Sequence, residues 1–372
     1  MKHLYWIDFA KTLGLLLMIL GHGNLVNSDL QCYIYSFHMP MFFIISGLLT
    51  RNIGGDCLKS KSTPSGLRIR SRPCSGVQTF LLSPRLFRQS GGEKVDFSTS
   101  IKRLFNSLMI PYICMNLFCL LVFGVVEFCK GQFCYTLFKS HIWAIILGLG
   151  YNIGPFKPVS PTMWFFYVMF IIKILYIIFP NSRVSKIIQV IICFILVKLF
   201  TYYNIDTYIP LDSAIMAYPF FLVGTECKQL LNREVKFNVH FAAIILFVLL
   251  GNYFISSYNG RCDIDTMKYG KFYGLFLCTG VVTSYSLLAV CSCINIQLVS
   301  LKDFLNNICN GAPLIVGLNL LVITVFKTSM LHFVKQWCCI YGIVLGIVIM
   351  MTFYPLIIFT KKYCPIILGH RK

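Results

Sequence analysis

Residues 5–25 read YWIDFAKTLGLLLMILGHGNL. The stretch is apolar and long enough to cross about 30 Å of hydrocarbon, yet it carries Asp8 and Lys11 near one end and His22 near the other. Ionisable groups in such a stretch are costly in lipid and by default mark a site. At about 100° and 1.5 Å per residue, Lys11 and His22 fall within about 20° of one helix face and about 16 Å apart along the axis. Gly14 or Leu15, and then Met18, complete that face. Asp8, three residues before Lys11, stands at the spacing at which opposite charges on a helix pair. A cation at one end and a titratable imidazole at the other suit the two ends of one long, partly anionic ligand. A plainer reading stays open, in which Lys11 snorkels to the headgroups and His22 anchors the opposite interface.

The rest of the chain extends the same pattern. Its 372 residues are 57% hydrophobic, above the roughly 45–50% of soluble domains, so the chain reads as one all-α, polytopic membrane domain over residues 1–372. Apolar runs at about 5–25, 31–50, 106–128, 162–180, 186–204, 211–226, 238–256, 271–292, 311–326 and 337–359 predict about ten transmembrane helices. A further run, 135–150, contains Lys139, His141 and Trp143 and ends in GLGYNIGPFKP, which reads as an amphipathic or re-entrant piece.

A net charge of +20 would suggest nucleic acid in a soluble chain, but here it sorts by loop, and no nucleic-acid partner is expected. With the N-terminus in the cytoplasm, Lys and Arg concentrate in the inner segments, above all 51–105, and thin out in the outer ones. The bias predicts a multi-pass protein of the inner or plasma membrane, in contact with its lipids, with both termini cytoplasmic. Lys11 then lies toward the cytoplasm and His22 toward the outer face. Asp206, Asp212, Asp263 and Asp265 fall in outer loops and read as solvated. Seventeen cysteines without paired zinc-type spacing read as small buried hydrophobes, so neither a metal site nor a disulfide framework is expected. The first apolar run lacks a small-residue cleavage site, and no cleavable signal is expected.

The second span, QCYIYSFHMPMFFIISGLL (31–49), puts His38 two residues before Pro40, which removes a helical hydrogen bond and predicts a kink. The short turn 23–30 brings His38 near His22. Residues 51–95 have no helical or strand period and read either as a disordered cytoplasmic loop or as a reading-frame error. The following DFSTSIKRLFNSLMIPYI (96–113) is a basic amphipathic turn running into the third span. Its Lys102 and Arg103 either touch anionic lipid or bind phosphates of a cytoplasmic donor. Trp164, in PTMWFFYVMF (161–170), sits where a belt anchor is expected, and Asn319 in the ninth span is expected to bond to a neighbouring helix.

Four stretches, IDFAKTLGLLLMILGH (7–22), YSFHMPMFFIISG (35–47), KRLFNSLMIPYI (102–113) and MWFF (163–166), resemble the integral membrane acyltransferase 3 family, and within it the fucose 4-O-acetylase-like sugar acetyltransferases. The resemblance implies a ten-helix core that takes an acetyl group from cytoplasmic acetyl-CoA, with no permanently bound cofactor. The acetyl group goes to a hydroxyl of a carbohydrate or lipid-linked glycan on the outer side. By matching motif, His22 is the catalytic histidine and Lys11 contacts the donor, oriented by Asp8. His38 falls on a further catalytic position and Trp164 on a substrate-binding one. The sequence departs from the family in three ways: Lys11 stands where Arg is frequent, Asn319 stands near an expected His, and the insertion 51–95 is long. The competing reading is a transporter or flippase of a sugar or lipid-linked intermediate, although no convincing internal repeat is present.

Overall fold

The computed structural model describes residues 4–50, 97–231, 238–331 and 339–369, so the expectations for 51–95 lie outside the described residues. The chain folds as α1 (Tyr5–His22), α2 (Ser28–Leu49), α3 (Phe97–Leu104), α4 (Ile110–Cys129), α5 (Tyr135–Leu147), α6 (Trp164–Ile178), α7 (Arg183–Tyr202), α8 (Leu211–Glu226), α9 (Val239–Asn259), α10 (Tyr273–Ser292), α11 (Val299–Asn310), α12 (Ala312–Leu331) and α13 (Cys339–Tyr363). A two-stranded hairpin, β1 (Cys262–Asp263) and β2 (Lys268–Tyr269), lies between α9 and α10. Eight helices among the described residues are long and apolar enough to cross a membrane: α2, α4 with its lead-in, α6, α7, α9, α10, α12 and α13. The ten expected spans are completed by α1, which carries Asp8 and Lys11, and by α8, whose sixteen residues reach about 24 Å. Both pack on α2 inside the bundle.

Successive spans run in alternating directions, which gives the bundle two ends. The end holding His22 also carries the start of α6, the turn 203–210 and the segment 260–272. The end holding Lys11 carries α3 and the amphipathic α11, which packs on α1 and α13. The α3 segment joins α4 through a π-helical turn at Phe105–Met109, just before Pro111 withdraws a backbone donor. Helix α5 is thirteen residues, about 20 Å, and too short to cross. It enters beside α4, bonds its Ile145 carbonyl to the Tyr112 hydroxyl at 2.7 Å, and ends at Gly148 (φ 79°) against Tyr167 of α6. The chain then returns to the His22 end, so α5 is re-entrant.

Lipid supplies no hydrophobic force between helices, so close packing and polar contacts must hold them together. The closest packing is between α2 and α8. A Cβ on Gly47 would stand 2.1 Å from the Phe221 carbonyl oxygen, and one on Gly224 would stand 2.1 Å from that of Ile44. Two glycines therefore let two backbones touch at one crossing. Polar contacts do the rest. The buried residues of α9 are Asn252, Ser256 and Asn259, while Phe247, Leu250 and Phe254 face outward. Ser256 Oγ bonds Ser36 Oγ of α2 at 3.0 Å. Lys186 is buried in α7 and donates to Glu226 (2.6 Å) and Thr225 (2.8 Å) of α8. Pro40 lies inside α2, which continues as helix on both sides of it. Lys327 of α12 donates to the Gly23 carbonyl (2.9 Å), capping the end of α1.

Replacing Gly47 or Gly224 by Leu should separate α2 from α8, at a cost above the ~1–3 kcal/mol usual for overpacking, because backbone cannot move aside as a side chain can. Size-exclusion profile and thermal midpoint in detergent measure this. Gly251→Leu, on α9 with no neighbour within 4 Å, should leave both unchanged.

Candidate active site

The predicted α1 face points into the protein. Leu15, Met18 and His22 line a cavity together with Met39 and Phe42 of α2, Thr162, Trp164 and Phe165 at the start of α6, and Val316 of α12. Its volume is about 20 Å³, room for one water-sized group. At the other end of the same face Lys11 is buried, with Nζ 3.6 Å from Asp8 Oδ1. The Cys309 thiol of α11 donates to the Asp8 carbonyl (3.2 Å), tying the pair to α11. Neither end of α1 is a lipid-facing anchor.

Around His22 three rings meet. The turn 23–27 folds α2 back along α1, so that Tyr35 comes opposite His22 and its hydroxyl lies 3.2 Å from His22 Nδ1. His38, one turn further along α2, sets its ring 6.0 Å from that of His22 and 5.1 Å from that of Tyr35, edge to face in both cases. His38 Nδ1 is 2.8 Å from the Ile34 carbonyl, which can only accept, so Nδ1 carries a proton and neutral His38 has its lone pair on Nε2. That Nε2 is buried without a hydrogen-bond partner among the described residues.

Trp164 is buried, 5% exposed, against Phe165 rather than at a lipid interface. Next to it Thr162 Oγ1 donates to the Val316 carbonyl (2.6 Å) and lies 3.3 Å from Asn319 Oδ1. Asn319 thus makes the interhelix bond expected of it, behind the cavity wall. Lys102 and Arg103 are exposed on α3, which packs on the π-helical turn and α6, whereas the neighbours of α1 are α2 and α10 to α13. The structure brings His22, His38 and Trp164 together and pairs Asp8 with Lys11, but it does not set Lys102 and Arg103 beside Lys11.

Sequence reasoning missed what covers the His22 end. Arg261 lays its guanidinium 4.4 Å from the centre of the Tyr35 ring and pairs with Asp263 at 3.7 Å. Asp212, expected to be solvated, is buried in the first turn of α8, where the Ser213 N–H donates to its Oδ1 at 2.7 Å. The free N–H groups of a helix start attract a carboxylate. Asp265, also expected to be solvated, is drawn down by Ser213 Oγ, which donates to its backbone carbonyl (3.2 Å), and its own Oδ1 is buried without a hydrogen-bond partner among the described residues. Tyr35 was within reach of sequence reasoning, since a helical hairpin centred near residue 28 sets 22 opposite 35. Arg261 carried no periodic signal.

A family model described as an acyltransferase domain, that of the acyltransferase 3 family, matches residues 4–360. The chain belongs to that family. No curated protein and no solved structure matches it. Membership makes the protein a membrane acyltransferase. In this acyltransferase the cavity is walled in part by Met18, Met39 and Phe42, side chains able to change rotamer.

Burial first, and the neighbouring Asp263 carboxylate second, hold the Asp265 carboxyl well above the ordinary carboxylate range. A raised native value costs stability at every pH above the unfolded value of about 4, and costs nothing below it. Asp265→Asn should therefore raise the thermal midpoint at pH 7 and leave it unchanged at pH 4; an equal rise at both values would contradict this.

Proposed function

We propose that this acyltransferase moves an acetyl group from acetyl-CoA to a sugar hydroxyl of a cell-envelope or exported glycan, as a sugar O-acetyltransferase of the fucose 4-O-acetylase-like kind. It works in the inner or plasma membrane, with the Lys11 end and both termini toward the cytoplasm and the His22 end toward the glycan. The observation that carries this reading is the α1 face, which runs from the buried Lys11–Asp8 pair past Leu15 and Met18 to an imidazole in a closed cavity. Its length of about 16 Å suits an extended pantetheine arm. The positive charge for the phosphates of the donor comes from Lys11 and the cations of that end. Lys302 stands over the Tyr5 ring (5.1 Å) at the start of α1, Lys361 donates to Asn307 of α11 (3.0 Å), and Lys102 and Arg103 are exposed on α3. Buried Asn310 of α11 has an Oδ1 without a partner among the described residues, a polar acceptor suited to an amide or hydroxyl of the donor.

In the transfer step the sugar hydroxyl oxygen attacks the thioester carbonyl carbon, while its proton passes to His22 Nε2. The tetrahedral centre then expels the CoA sulfur, which takes that proton as the C–S bond breaks. A hydroxyl is too weak an acid to do this alone at neutral pH, and a positioned imidazole typically contributes 10²–10⁴-fold. Tyr35 serves His22 by accepting from Nδ1–H, which leaves the Nε2 lone pair free for the hydroxyl. His38, neutral and acceptor-bearing beside it, adds no competing positive charge. Trp164 closes the cavity against water and presents its indole to the acceptor.

Membranes containing the native protein should transfer radiolabel from acetyl-CoA to envelope glycan, and membranes with matched His22→Ala should lose at least about 10²-fold of that transfer. Lys11→Met should raise KM for acetyl-CoA more than it lowers kcat, and Tyr35→Phe should do the reverse. Equal labelling by native and His22→Ala membranes, or loss of glycan export with no labelling in either, overturns the reading in favour of translocation.

A further inference from the structure

The His22 end holds a second and larger cavity, of about 410 Å³, lined by Thr201 at the end of α7 and by Arg261, Met267, Lys268, Tyr269, Gly270 and Lys271. That volume falls within the roughly 300–1,000 Å³ of small-molecule sites. Its walls are rigid. Buried Asn259 donates through Nδ2 to the Tyr269 carbonyl (2.8 Å), accepts from the Phe272 N–H at Oδ1 (2.8 Å) and from the Lys271 N–H at its backbone carbonyl (2.8 Å), so the hairpin and its exit are fixed to α9. Three lining residues are cations, none is acidic, and Lys198 Nζ of α7 adds a fourth positive charge by donating to the Tyr269 hydroxyl (3.3 Å). Asp263 is the nearby counter-charge. It pairs with Arg261 and sits across from Lys268 in the hairpin register, which leaves the cleft net positive.

One side chain joins this cleft to the catalytic centre. Arg261 lines it and also lies on the ring of Tyr35, whose hydroxyl meets His22 Nδ1. A group held at Arg261 is therefore one tyrosine from the imidazole. We propose that the cleft is the acceptor's docking site and that the acceptor is an anionic carbohydrate, one whose carboxylate or phosphate is held by Arg261, Lys268 and Lys271. The hydroxyls of Thr201 and Tyr269 supply hydrogen bonds to its sugar, and the hydroxyl to be acylated points toward His22. The proposal rests on the acyltransferase reading for the meaning of the bound sugar, but its test reads binding alone.

The protein in phosphatidylcholine nanodiscs is titrated with labelled tetragalacturonate and with its carboxyl-reduced neutral counterpart. The charged oligosaccharide should bind at least about tenfold more tightly. Lys268→Glu with Lys271→Glu should remove that preference at an unchanged thermal midpoint, and Lys139→Glu, an exposed cation on α5 at the same end, should keep it. His22→Ala should bind as the native protein does, so a failure of acyl transfer and a failure of the cleft give different results. Equal or absent binding of the two oligosaccharides, or binding indifferent to the double charge reversal, overturns the proposal. So does displacement of tetragalacturonate by phosphatidylglycerol in the discs that the double variant prevents, which would assign the cleft to lipid headgroups.

Discussion

Helix α2 touches α8 backbone to backbone at Gly47 and Gly224, and much else follows from that contact. Because lipid offers no hydrophobic gain for helix association, an approach this close draws its stability from dispersion along two long surfaces. It draws α8 to the bundle's centre although α8 is the shorter helix, and it places α2 where α1, α9 and α10 can also reach it. The consequence for chemistry is rotational. With one face of α2 committed to α8 and its Ser36 bonded to α9, Tyr35 and His38 are turned toward α1, where His22 stands.

How far the sequence could be read follows from this. The ten spans, the amphipathic or re-entrant run 135–150 and the pairing of Asp8 with Lys11 were legible, because hydrocarbon thickness and helical period are properties of single segments. The meeting of His22 with His38 was legible too, since a short turn leaves two helices little choice. What escaped were contacts between segments far apart in the chain. Arg261 on Tyr35 and Asp265 under Ser213 depend on where an irregular loop folds, and no period announces that. Asp212 read as loop although it opens a helix, because its burial comes from the neighbours of α8 and not from its own stretch.

The two ends of the α1 face differ in how they hold charge. At Lys11 the cation is buried and answered by a carboxylate three residues away, an arrangement that fixes a side chain and costs desolvation. At His22 the nearest polar partner is a tyrosine, and the formal charges, Arg261 and Asp263, stand one residue further out. A neutral imidazole in an aromatic wall keeps its lone pair, whereas an imidazole directly against a carboxylate is drawn toward its protonated form.

Helix α1 is also enclosed by the last part of the chain. Its start is tied to Cys309, its flank packs on α12 and α13, and its end is capped by Lys327, 304 residues after Gly23. Helix α1 therefore waits through about 300 further residues of synthesis for the cap on its end, roughly 15–60 s at 5–20 residues per second. Through that interval Lys11 and His22 sit in a segment without its final neighbours, and nothing but Asp8, the turn 23–27 and the nearby α2 shelters them. The protein's order of synthesis and its order of consolidation run opposite ways, so this membrane helix must tolerate being inserted early and completed late.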